Sequence, residues 1–177
     1  MDTNNFDGIN FLSMVGEWAI AAVIYWEFES NRLDRFLADA FSEGYSKDRS
    51  EIYEQYCGVA VPSGTTREIA FKDLFKTDDP LRIKCERQLA LLNSVGSRLP
   101  KLPPFKNRAI EWFPHTAIFM WKILEPYIKD RRAQAGSHWA NSFEKLALAC
   151  QKELKCRGQK QIVLVDPKHR QNIAFDL

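Results

Sequence analysis

Residues 137–150 read SHWANSFEKLALAC. Trp139, Phe143, Leu146, Ala147 and Cys150 recur at i, i+4, i+7, i+8 and i+11, the spacing of one apolar helical face. Gly136 stops whatever helix precedes this one, Ser137 is placed to cap it, and Gly158 ends it. Upstream, Ala117, Met120, Trp121, Leu124 and Ile128 form a second stripe. Pro114 interrupts any helix before that stripe, and Pro126 inside it removes a backbone donor and predicts a kink. A third stripe, Cys85, Leu89, Leu92, Val95 and Leu99, starts at Asp78 or Asp79 before Pro80 and is ended by Pro100, Pro103 and Pro104. Shorter helices are predicted over 47–57 and 67–76, separated by a loop at 58–66. Thr65 or Thr66 caps the second of these, and Ile69, Leu74 and Phe75 form its apolar side.

The N-terminal part has a different character. Residues 11–26 read FLSMVGEWAIAAVIYW, an apolar run shorter than the roughly 20 residues that cross a bilayer unaided. Glu17 sits inside it, where a carboxylate needs a partner or water. Three placements follow: buried within this chain, buried between subunits, or marginally in a membrane. In the last case Arg32 and Arg35 behind the run put the body of the protein on the cytoplasmic side. Leu33, Phe36, Leu37, Ala40 and Phe41 continue the helical spacing up to Gly44, so one long helix is predicted over 9–43. Phe11, Glu17, Trp18 and Trp26 are its candidate assembly or membrane residues.

The chain has 177 residues, 45% of them hydrophobic, and a net charge of +2. This excludes a disordered chain and suits one domain. The charge is uneven. Residues 1–60 hold eleven Asp/Glu against four Lys/Arg, about −7, and the remainder carries about +9. Such separation points to self-association, to an anionic partner, or to the acidic part folding back on the basic part. Cys57, Cys85, Cys150 and Cys156 include no CxxC pair, and with three His a zinc site is not expected. Cys85 and Cys150 read as small core residues in a reducing compartment. No basic n-region of a secretory signal opens the sequence. The run QIVLVD (161–166) is β-like and has no evident partner strand, so it is read as an extended arm or as a strand pairing between subunits. The expected architecture is all-α, one domain over 1–177: the helix 9–43, a helical bundle over 79–155 and a basic extended tail over 156–177.

The segment 107–150 resembles a widespread bacterial family of small helical proteins of unknown function, many with one N-terminal membrane helix. The matching residues are Trp121, Leu124, Pro126, Tyr127 and Ile128, then Arg131, Arg132 and Gly136, then Phe143, Glu144, Leu146 and Ala147. CERQLALLNSVGSRL (85–99) looks like the helix before it in that family. The resemblance implies the fold and carries no chemistry.

One pattern does carry chemistry. Arg131 and Arg132 precede His138 by seven and six residues, and Arg108 precedes His115 by seven. Three such spacings occur where chance gives about 0.6. Arginine, four to six residues and then histidine is similar to the ribonuclease signature of the helical HEPN superfamily. A histidine there moves a proton to or from ribose, and an arginine holds the scissile phosphate. The junction at Gly136, Ser137 and His138 would also aim backbone amides at an anion. The structural alternative puts both arginines at a helix C-terminus, where cations suit the dipole.

Two function classes follow. The first is a non-enzymatic, self-assembling helical protein, cytoplasmic or at the cytoplasmic face of the inner membrane. Its build looks like that of accessory effectors of bacterial phage defence. The second is a metal-independent, HEPN-like ribonuclease using Arg131, Arg132 and His138, with RNA held by the basic C-terminal half. A plain regulatory interaction module is a third. No cofactor or metal is expected for any of them.

Overall fold

Helix start and stop chemistry accounts for most of the element boundaries. The computed structural model describes residues 18–25, 27–28, 30–31, 34–35, 38, 42–98, 110–111, 114–166 and 171–177. The chain divides into two compact units, Met1–Phe41 and Ser42–Leu177.

In the first unit every described residue from Trp18 to Ala38 is helical. Phe11, Glu17 and Trp26 lie outside the described residues, as do parts of the expected helix 9–43. Gly44 does not stop that helix. It lies in the first turn of a new one, α1 (Glu43–Gly58), with Ser42 at its N-cap position. Glu43 in that turn places an acid at the positive end of the helix dipole.

The second unit continues with α2 (Arg67–Leu74), α3 (Asp79–Arg98), α4 (Pro114–Ala135) and α5 (Asn141–Cys156), followed by β1 (Gln161–Asp166) and β2 (Gln171–Asp176). Of the two threonines before α2, Thr66 is the cap, since its hydroxyl accepts the Ile69 N–H. Thr65 instead donates to the Pro62 carbonyl. Asp78 caps α3, accepting the Leu81 N–H at 2.9 Å, and Pro80 occupies the first turn, where a missing donor costs nothing. Pro114 likewise opens α4, and α4 runs through Pro126.

The core is built on α3 and α5. Cys85, Leu89, Leu92 and Val95 are buried along α3, as predicted, and Phe143, Leu146, Ala147 and Cys150 along α5. The two helices approach so closely at Gly96 that a Cβ there would lie 1.9 Å from the Ser142 carbonyl oxygen. Asn93, one turn before Gly96, accepts the Phe143 N–H through its side-chain oxygen. On α4, Ala117, Met120, Leu124 and Ile128 are buried and Trp121 is partly so. On α2 the prediction is corrected at Ile69, which is exposed. Ala70, Phe71 and Phe75 make the buried side instead.

The tail is not a lone extended arm. β1 pairs antiparallel with β2 in the same chain, Gln161 opposite Asp176 and Asp166 opposite Gln171. The sequence QNIAFD hides the second strand because its inward set is only Ile173 and Phe175, too short an alternation to stand out. Ile162, Leu164 and Phe175 are buried.

Aromatic rings tie these parts together. Phe175 stacks on Tyr56 at 6.1 Å, Tyr56 meets Phe71 edge-on at 5.6 Å, and Phe71 meets Phe75 at 5.4 Å. Phe75 then meets Tyr127 at 5.0 Å and Tyr127 meets Trp139 at 6.0 Å. The row runs from β2 through α1, α2 and α4 to the turn before α5. Each contact contributes about 0.5–1.5 kcal/mol beyond its buried area.

Gly96→Ala is expected to force α3 and α5 apart, because the clashing atom is backbone and has no rotamer to yield. The cost is about 3 kcal/mol, a fall of roughly 6–12 °C in Tm measured by circular dichroism.

Candidate functional site

The α4–α5 junction gathers the residues with chemical potential. Gly136, at φ 98°, is left-handed and closes α4. Residues 137–140 form a turn, and Ala140 at φ 58° is a second left-handed position, strained for a residue with a Cβ. That double reversal places the start of α5 at Asn141, so Ser137 is not its cap. Ala140 holds the N-cap position and no side chain of its own segment caps the helix. Asn93 of α3 supplies the cap from across the core.

Arg132 closes this junction. Its Nε–H donates to the Trp139 carbonyl at 2.8 Å, and its Nη2 donates to Asn141 Oδ1 at 3.1 Å and Glu144 Oε2 at 2.8 Å. The guanidinium carbon lies 5.8 Å from the Trp121 ring centre. This one side chain therefore binds the end of α4 to the turn and to the first turn of α5. Arg131 lies over Trp139, 5.7 Å from the ring centre, and its buried Nε has no hydrogen-bond partner among the described residues. His138 is exposed in the turn, and its carbonyl accepts the Asn141 N–H. Asn141, Phe143 and Glu144 all have partners for their backbone N–H groups. Of the three residues expected to aim amides at an anion, Gly136 donates its N–H to the Arg132 carbonyl. His115 is exposed in the first turn of α4, its ring 6.4 Å from that of Phe119. Arg108 lies outside the described residues.

The sequence did not reveal a set of buried polar groups on α1 and α3. Asp48, Arg49 and Gln88 are all buried. Asp48 is paired with Arg87 at 2.9 Å, and the Gln88 amide donates to the Tyr45 carbonyl. Burial holds the Arg49 guanidinium below its usual range. Lys84 and Glu51 pair beside them. In sequence Asp48, Arg49 and Glu51 lie in the short helix predicted over 47–57, and no apolar periodicity there marks them as buried. Two open clefts flank α1. One of about 310 Å³ is lined by Glu51, Glu54, Asp78 and Lys84, and one of about 350 Å³ by Glu54, Gly58, Ala60 and Leu74. Arg131, Arg132 and His138 line neither. Among the described residues no group of three His, Cys, Asp or Glu is placed to hold a metal ion.

The other predicted site is the N-terminal helix. Trp18, Ile20, Val23, Ile24, Tyr25 and Phe28 are between 57% and 72% exposed. Among the described residues no helix is long and apolar enough to cross a membrane.

Protein-family models, curated proteins and solved structures offer no match to this chain. The resemblances drawn from the sequence rest on the residues quoted for them.

Two measurements follow from these side chains. Arg132→Ala is expected to lower unfolding free energy in urea by about 2–3 kcal/mol, since it strands Glu144 and the Trp139 carbonyl. Arg132→Lys should recover only part of that, having one charged group where the fork holds three acceptors. The thiols are predicted to divide as well. Burial pushes the Cys150 thiol up to about 12 and the Cys85 thiol higher still. With Cys57 also buried and Cys156 exposed, a thiol reagent at pH 8 should titrate one cysteine quickly and the other three only after denaturation.

Proposed function

We propose that this chain is a non-catalytic helical assembly protein that associates with a second copy of itself through its N-terminal apolar helix. The observation carrying this reading is the six large apolar side chains exposed between Trp18 and Phe28. Monomeric proteins seldom leave so many large apolar side chains of one helix in water. Burying each such side chain is worth about 1.5–3 kcal/mol, so a few of them stabilise an oligomer. The surplus of acid in residues 1–60 and of base in the remainder adds long-range attraction between copies.

Contact of the same helix with a lipid surface is the membrane form of the reading, and a role as an accessory effector in phage defence is its cellular form, on the analogy of build alone. The engagement of Arg132 by Glu144, Asn141 and Trp139 supports a structural part for that arginine over phosphate binding.

Light scattering coupled to size exclusion tests the proposal. The full chain should elute at a multiple of 20.5 kDa, and Trp18→Glu with Ile24→Glu should step it down to a smaller multiple at the same concentration. A mass unchanged by the two substitutions, or a 20.5 kDa wild-type species at tens of micromolar that ignores liposomes, overturns it.

A further inference from the structure

The hairpin ends the described fold with an open edge. Leu177 N–H donates to the Lys160 carbonyl, which makes 160 and 177 a hydrogen-bonded pair. Antiparallel ladders alternate, so Ile162 and Leu164 also point their backbone groups at β2. Gln161, Val163 and Val165 point theirs the other way. No backbone bond from another described residue reaches them on that side. All three are exposed, Val163 at 48% and Val165 at 64%.

Folded proteins blunt such an edge with lysine, proline or a bulge. From Gln161 to Val165 this one has none of those, and its four central residues are Ile, Val, Leu and Val.

We propose that β1 pairs with β1 of a second copy, antiparallel about a two-fold axis at Val163, to give a four-stranded sheet in the order β2-β1-β1-β2. One register uses every outward backbone group: Val163 opposite Val163, and Gln161 opposite Val165, in both directions. Any other register leaves outward groups of at least one residue per strand unpaired. The chosen one keeps Ile162 opposite Leu164, so the buried face of one hairpin continues into that of the next. It also sets Lys160 opposite Asp166 at both ends, a basic position against an acidic one twice over. The same operation on β2 sets Asn172 opposite Asp176 and offers no such match. The partner is therefore a second copy through β1, an interface separate from the N-terminal helix.

The test uses the full chain carrying Trp18→Glu and Ile24→Glu, where the β1 contact alone remains. Its mass by light scattering should be twice 20.5 kDa. Val163→Pro removes only an outward N–H, leaves the hairpin's own bonds intact, and should halve that mass. Lys160→Asp should raise the dimer Kd about tenfold, and adding Asp166→Lys should restore it. The charge swap keeps the proposal falsifiable if the proline variant fails to fold by circular dichroism. A single-chain mass in the starting variant overturns it, as does a dimer indifferent to Val163→Pro and to Lys160→Asp. A wild-type mass lowered by the Trp18 and Ile24 substitutions while β1 variants have no effect defeats this interface alone. The reverse pattern defeats the N-terminal reading alone.

Discussion

The close approach of two backbones at Gly96 is the constraint on which the rest depends. Helices normally keep 8–10 Å between axes because side chains stand between them. Here a hydrogen takes the place of a side chain, and the Ser142 carbonyl occupies the space. Asn93 then reaches the Phe143 N–H, so the start of α5 is capped by the helix it packs against. A cap supplied in trans ties the boundary of a secondary element to its tertiary contact. The left-handed turn at Gly136 and Ala140 delivers the chain to that point, and the Arg132 fork locks it there.

Seen this way, the arginine pair changes meaning. Cations in the last turn of α4 suit its dipole, but the geometry does more than that. Arg132 is shared between a carboxylate, an amide oxygen and a carbonyl, and it lies over Trp121. Arg131 lies over Trp139 with its Nε buried. Delocalised, weakly hydrated guanidinium groups tolerate such half-buried aromatic settings better than ammonium does. The junction is a stiff corner, and the exposed His138 is carried on its outside.

Periodicity made the helices readable. The described stripe residues are buried except Trp121 and Trp139, which are partly so, with Trp139 in the turn before α5 and Leu99 outside the described residues; Thr66 marks the start of α2, Asp78 that of α3 and Gly136 the end of α4. What stayed hidden shares one cause: the deciding partner is distant in sequence. Ser137 is a good local cap, yet Asn93 wins because α3 lies alongside. Gly44 is a good local stop, yet it falls inside the first turn of α1. Asp48, Arg49 and Gln88 are polar and carry no apolar periodicity, yet all three are buried. β2 is too polar to announce itself and becomes a strand by pairing with β1. Of the candidate site residues, Arg131, Arg132 and His138 fall at the α4–α5 corner, and the sequence could not show that Arg132 is already held there. Phe11, Glu17 and Trp26 lie outside the described residues.

The aromatic row has a kinetic meaning. Five of its six rings, from Tyr56 to Trp139, can meet once α1 to α5 have assembled. Phe175 joins by closing a loop from Tyr56, the longest closure among these ring contacts. Loop-closure entropy grows only slowly with length, so the stability lost is small, but contacts this distant in sequence slow the search for the native topology. Of the contacts in the row, the one that anchors the hairpin is thus the most distant in sequence. Without a core behind it a two-stranded ribbon such as β1 and β2 is marginal in water, so the hairpin depends on that contact more than the helices do.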